Sequence, residues 1–202
     1  MPTVTKLEVQ KKNKLRVNVY IDDEFLCGMD ATTVINVGLK VGKQVSVSQL
    51  QDAIFQSETS VAFGKAVDYL SRYMKTASQV NQYLLRKGFS PEVATCVVEK
   101  LQSYGYVDDV RYAQLYVEQN SKSKGSYRLV QELVRKGVPL KDAQEHGQID
   151  HDDALANATA LAQKYMKNKP SDMPTLVKLQ RYLAYRGYDY DVINTVVNQY
   201  KN

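Results

Sequence analysis

Tryptophan is absent from this chain, and cysteine and histidine occur only twice each. Cys27 and Cys96 lie far apart, among apolar neighbours and without a partner motif. They read as buried thiols of a reducing cytoplasm rather than as a disulfide. His146 and His151 have no Cys/His cluster at ligand spacing, which argues against a zinc site. No apolar run approaches the roughly 20 residues of a membrane span. The start at Met1-Pro2-Thr3-Val4-Thr5-Lys6 lacks the apolar core of a signal peptide. Phosphate-cradling glycine loops, nucleophile elbows and supported carboxylate pairs are missing too. Asp108-Asp109 is the most catalytic-looking pair, but consecutive aspartates at a helix start are capping groups. No catalytic residue, metal ligand or cofactor is therefore expected, and the chain is not read as an enzyme.

What remains is a soluble globular composition, 44% hydrophobic and 24% charged, over 202 residues. That length holds two ordinary domains, or one small domain plus an array. The net charge of +5 is unevenly spread. Residues 1–60 carry 7 basic and 7 acidic side chains, residues 61–150 carry 13 and 10, and residues 151–202 carry 7 and 5. The excess suits an acidic partner, either nucleic acid or an acidic protein groove, without choosing between them. Tyrosine is abundant, at 15 residues. Most tyrosines fall at helix-periodic positions, where core filling comes first and interface use second.

The chain repeats itself. Leu84-Leu85-Arg86-Lys87-Gly88-Phe89, Leu133-Val134-Arg135-Lys136-Gly137-Val138 and Leu183-Ala184-Tyr185-Arg186-Gly187-Tyr188 share one pattern, their glycines 49 and 50 residues apart. A fixed period of that size marks a tandem array. Each copy reads as the last turn of a helix, a glycine able to take positive φ, and an apolar residue that packs back. The basic residues suit the negative end of the helix.

Residues 3–29 read as β-structure. Leu15, Val17, Val19 and Ile21 alternate with Arg16, Asn18, Tyr20 and Asp22, and Phe25 to Met29 returns as a third strand. A short helix over 30–37, capped by Asp30, is followed by a helix capped by Ser48 and running to about Gln56. Polar Gln56-Ser57-Glu58-Thr59-Ser60 reads as a linker. From Val61 onward the pattern is helical. Thr76 with Gln79 forms a capping-box signature, and Ser90-Pro91 supplies a cap and a first-turn proline. Residues 120–125 read as a basic, flexible loop. The expected fold is mainly α: a small N-terminal β-rich α/β region over 1–60, then three tandem three-helix repeats over 61–106, 107–150 and 151–202. The middle repeat is irregular. Where its neighbours carry Val97-Val98 and Val196-Val197, it carries His146-Gly147. Its third helix, from about Leu140, should be short and weakly packed, with Gln148 to Asp153 as a hinge or linker.

The glycine turn between second and third helices has the length of a helix-turn-helix. In that motif the last helix reads DNA and presents Arg, Lys, Asn or Gln near its start. Here those starts carry Glu92, Asp142 with Glu145, and Asp189 with Asp191, which repel phosphate. The cations gather on the second helices and the loop before one of them: Arg86, Lys87, Lys122, Lys124, Arg128, Arg135, Lys136, Lys178, Arg181 and Arg186. Non-specific contact with a nucleic-acid backbone stays open as the alternative function.

Gly105-Tyr106-Val107-Asp108-Asp109-Val110-Arg111-Tyr112-Ala113 resembles the G-Y-L-D-D-x-R-F-A segment of the RecX regulatory proteins. Gly125-Ser126-Tyr127-Arg128-Leu129-Val130-Gln131-Glu132-Leu133-Val134-Arg135-Lys136-Gly137-Val138 resembles their G-x-x-R-L-x-x-E-L-x-x-K-G-I segment. Tyr69-Leu70 with Leu84 to Phe89 fits the family's first unit, and the resemblance covers about residues 61–200. The N-terminal β region is similar to that of longer members from Gram-positive bacteria. Two departures stand out: His146-Gly147 breaks the apolar pattern, and Tyr73 sits where an arginine is expected. The resemblance implies a cytoplasmic bacterial protein that binds the RecA recombinase and its filament on single-stranded DNA. It implies restraint of strand exchange, ATP hydrolysis and LexA repressor cleavage. On that reading a monomer is expected. The candidate contacts are Lys124, Tyr127, Arg128, Arg135 and Lys136 of the middle repeat, then Arg86, Lys87 and Arg111. The competing reading of each is a solvated helix face.

Overall fold

A computed structural model describes residues 1–201. Val4–Val9 (β1), Arg16–Ile21 (β2) and Glu24–Asp30 (β3) form an antiparallel sheet in the order β1-β2-β3. Asp22 and Asp23 join β2 to β3 with φ of 49° and 67°. Two positive values are what a type I′ hairpin turn requires, and aspartate tolerates them. Alternation sends Val17 and Val19 to one face, where they meet Val4 and Met29. Leu39, Val45, Leu50 and Ala53 close that core, with Val34 from the short helix Ala31–Asn36 (α1). Asp30 caps α1 as expected, accepting from the Thr33 N–H.

Nine further helices follow among the described residues: Val47–Leu70 (α2), Ala77–Arg86 (α3), Pro91–Ser103 (α4), Asp109–Asn120 (α5), Ser126–Arg135 (α6), Leu140–His146 (α7), His151–Met166 (α8), Met173–Arg186 (α9) and Tyr190–Asn198 (α10). The fold is mainly α, with three three-helix groups after a small β-rich region. Two compact bodies are present. One comprises Met1–Tyr73 with Val80–Tyr106; the other comprises Met74–Gln79 with the chain from Val107 onward.

The expected linker at 56–60 is wrong. Those residues lie inside α2, an unbroken helix of 24 residues. None of the five is glycine or proline, so nothing stops the helix. Ser57 is buried, and its hydroxyl accepts from the Asp30 N–H at 2.7 Å. The start of α2 also differs. Ser46 caps it in a reciprocal pair with Gln49, and Ser48 instead hydrogen-bonds the Ser46 hydroxyl. The first half of α2 buries Leu50 and Ala53 against the sheet, and the second half buries Ala62 and Ala66. Cys27 and Cys96 are free thiols, half-buried rather than buried.

The three repeated glycines behave as the sequence requires. Gly88, Gly137 and Gly187 have φ of 88°, 91° and 87°. After each, the next amide bonds back five residues: Phe89 to the Leu84 carbonyl, Val138 to Leu133 and Tyr188 to Leu183. The glycine amide itself bonds Leu85, Val134 or Ala184. This is the Schellman arrangement, which satisfies the last helix carbonyls. Val138 and Tyr188 are buried where they pack back.

Candidate functional site

The middle repeat owes its shape to what meets its glycines. The Gly125 N–H donates to the Arg186 carbonyl at 2.9 Å, and the Tyr127 N–H to the Gly187 carbonyl at 3.2 Å. Unpaired amides at the start of α6 thus satisfy unpaired carbonyls at the end of α9. A Cβ on Gly125 would stand 2.2 Å from the Gly187 carbonyl oxygen, and one on Gly187 2.4 Å from the Arg128 Cβ. Gly137 is equally confined, since a Cβ there would lie 2.2 Å from that of Ser78. The Thr76 hydroxyl donates to the Lys136 carbonyl at 2.7 Å and caps Gln79. Gly88 has nothing within 4 Å of the same position.

The aspartate pair is split between two helices. Asp108 caps α5 through the Arg111 N–H, but Asp109 accepts from Ala77 at 2.8 Å and so serves the start of α3. Burial pushes the Asp109 carboxyl up, and the Ala77 bond opposes it. The expected flexible loop at 120–125 is held in place: Ser123 bonds back to Asn120, and Arg186 donates to the Ser123 carbonyl. The expected hinge is pinned too. Ile149 is partly buried and its N–H donates to the Ser126 hydroxyl, and α8 begins at His151 behind its cap Asp150.

At the centre sits Glu132, which accepts from Lys124 Nζ and the Tyr116 hydroxyl, both at 2.5 Å, and from Arg128 Nε at 3.0 Å. Burial alone would raise this carboxyl; the three donors outweigh it and hold it at about 2. In the other repeats the corresponding residues are Tyr83 and Tyr182, each stacked on a tyrosine of the preceding helix, at 4.1 and 4.9 Å between centroids. Arg128 also lies over the Tyr185 ring at 4.8 Å and donates to that residue's carbonyl. Lys136 lies over Tyr116 at 5.2 Å.

The eight expected contact residues thus separate into kinds. Lys124 and Arg128 are committed inward to Glu132, and Lys136 is half-buried on an aromatic ring. Tyr127 and Arg135 face outward from α6, two turns apart. Arg135 has no hydrogen-bond or ion-pair partner among the described residues. A cleft of about 290 Å³ runs beside them, walled by Ala184 and Tyr185. Arg86 and Lys87 lie in the other compact body, Arg86 ending α3 and Lys87 just after it, over the Tyr83 ring. Arg111 is exposed on the first turn of α5. Sequence reasoning missed Glu132 and Tyr116 as organisers. The i,i+4 spacing of Arg128 and Glu132 was the available signal. Among the described residues, no group of His, Cys, Asp and Glu could hold a metal, and no helix is long and apolar enough to cross a membrane.

Four family models match the chain in series. The regulatory protein RecX N-terminal domain matches residues 2–46, and the first, second and third RecX three-helix domains match 62–101, 108–145 and 151–197. A regulatory protein RecX of Clostridium botulinum (strain Alaska E43) is 35% identical over 100% of this chain and 98% of its own length. The chain belongs to the RecX family. The RecX of Bacillus subtilis (strain 168) is 30% identical over 98% of this chain and 77% of its own length. A crystal structure of regulatory protein RecX superposes with a TM-score of 0.76 at 24% identity, covering 98% of this chain and all of that one, which supports the fold. The RecX structure from Lactobacillus salivarius gives 0.66 at 21% identity over 71% of this chain and 96% of its own. Family membership makes the chain a regulatory protein.

Proposed function

We propose that this chain binds the RecA recombinase filament on single-stranded DNA in the bacterial cytoplasm and restrains it by contact. Strand exchange, filament ATP hydrolysis and repressor co-proteolysis would all slow, which places the protein in recombination, DNA repair and the SOS response. Kinship with RecX regulatory proteins along the whole chain carries this reading. The contact surface we assign is the outer face of α6, with Tyr127 and Arg135 as direct contacts. Lys124, Arg128 and Lys136 shape that face, and Arg86, Lys87 and Arg111 contribute outside it. No chemical step is assigned to the chain, which acts as a monomer.

The test is recombinase ATPase on single-stranded DNA with the chain added at stoichiometric amounts. Inhibition that rises with the chain and saturates is expected. Unchanged ATPase and strand exchange at stoichiometry defeat the proposal. The alternative is a non-specific DNA-binding array, favoured by the net charge of +5 and the free cation at Arg135. It predicts equal affinity for bare and recombinase-coated strands.

A further inference from the structure

The departure at His146-Gly147 has a structural consequence. α7 spans 7 residues, against 13 for α4 and 9 for α10. α4 and α10 bury valines at the corresponding positions, whereas α7 buries Ala143 and then ends at Gly147. Gly147 lies so close to α6 that a Cβ on it would stand 2.7 Å from Val130 Cγ2. Beside this short helix a groove of about 620 Å³ opens along α6. Its apolar lining includes Val130, Val134 and Leu140, the last two 40% and 57% exposed. Val130 stands where the other repeats carry the amides Asn81 and Gln180, seven residues before the glycine. Arg135 also lines the groove and makes no ion pair with any described residue, Asp189 on the same lining included.

We propose that this groove seats a short protein segment that offers apolar side chains together with a carboxylate. This deepens the reading above, on which the recombinase supplies the segment. Exposed valine and leucine gain by losing water to apolar side chains. Arg135 is the cation that a carboxylate can pair, because Lys124 and Arg128 are already engaged by Glu132. Nucleic acid fits the lining less well. Phosphate gains nothing from contact with Val130, Val134 or Leu140. The groove therefore separates protein recognition from the charge-driven DNA binding of the alternative.

The experiment uses the full chain carrying Val134→Glu and Leu140→Glu, both at exposed positions. Its binding to preformed recombinase filaments is compared with that of the unaltered chain. A photo-crosslinking residue at Gln144, in an otherwise unaltered chain, supplies a second readout that needs no altered groove. Filament binding should weaken roughly tenfold or more. The cross-link should fall on a recombinase peptide in which Asp or Glu adjoins apolar residues. A folded double variant that binds as tightly as the unaltered chain overturns the groove assignment while leaving the regulatory reading intact. Cross-links to DNA or to a second copy of this chain overturn it as well. If the unaltered chain fails to bind filaments at all, the regulatory reading falls and takes the groove with it.

Discussion

Replacing Glu132 by glutamine keeps the shape of the side chain and removes its charge. The carboxyl sits at about 2, against an ordinary value of 4.5, although burial pushes it the other way. A displacement of that size corresponds to about 3 kcal/mol of folding stability at neutral pH. The Glu132 side chain is 16% exposed and that of Arg128 29% exposed, so solvent screens part of the interaction. Roughly 2 kcal/mol is the expected loss. Spread over the compact body that contains α5 to α10, this lowers its melting temperature by about 10 °C. The sign with pH follows from the depressed folded-state value. The contribution is complete above the unfolded value and drains away as pH falls toward 2, so the gap between Glu132→Gln and the unaltered chain should shrink to less than half at pH 3. Urea denaturation followed by circular dichroism at pH 7 and pH 3 measures both. Equal urea midpoints at pH 7, or a gap that persists undiminished at pH 3, would refute Glu132 as the organiser of α6.

Alanine at the three repeated glycines should rank by their surroundings. Gly88→Ala meets open space and costs only the strained φ, about 1 kcal/mol. Gly137→Ala and Gly187→Ala must also displace Ser78 or Arg128 and should each cost at least about twice that, read from urea midpoints. Gly147→Val, which restores the apolar pattern of the other repeats, should destabilise the protein by about 2 kcal/mol or more, because its Cβ meets Val130 and the Ala143 carbonyl. Thermal melting would expose an error there as an unchanged or raised transition. Arg135→Glu should leave the melting temperature within a few degrees, since surface changes cost about 0.5 kcal/mol or less. It should weaken filament binding roughly tenfold in a titration. Undiminished binding removes Arg135 from the contact surface.

Much of the fold was legible in the residues. The period of Gly88, Gly137 and Gly187 marked the array, because only a left-handed residue closes each second helix in this way. Thr76 with Gln79, Ser90 and Asp30 likewise declared their caps. The differences share a cause: a polar residue in a sequence reads as solvent-facing. Ser57 looked like part of a linker and is a buried acceptor inside α2. Lys124 looked like a free cation on a loose loop and is the donor of a partly buried ion pair. Asp109 looked like a cap for its own helix and serves α3. Periodicity reports which face is apolar, but it carries no information on which distant group answers a polar one. The irregular His146-Gly147 was visible as a fault in the pattern; the groove beside it required the close approach of α7 to α6.

The most direct measurement is titration of the fluorescently labelled chain onto preformed recombinase filaments and, in parallel, onto bare single-stranded DNA across a range of salt. The logarithm of the affinity for bare DNA should fall steeply and linearly with the logarithm of salt. Filament binding that rests on Tyr127, Arg135 and the groove of α6 should stay saturable at salt concentrations where bare-strand binding has gone. Equal affinities on the two substrates, falling together with one salt slope, would contradict recognition of the filament protein and leave a chain that binds phosphate alone.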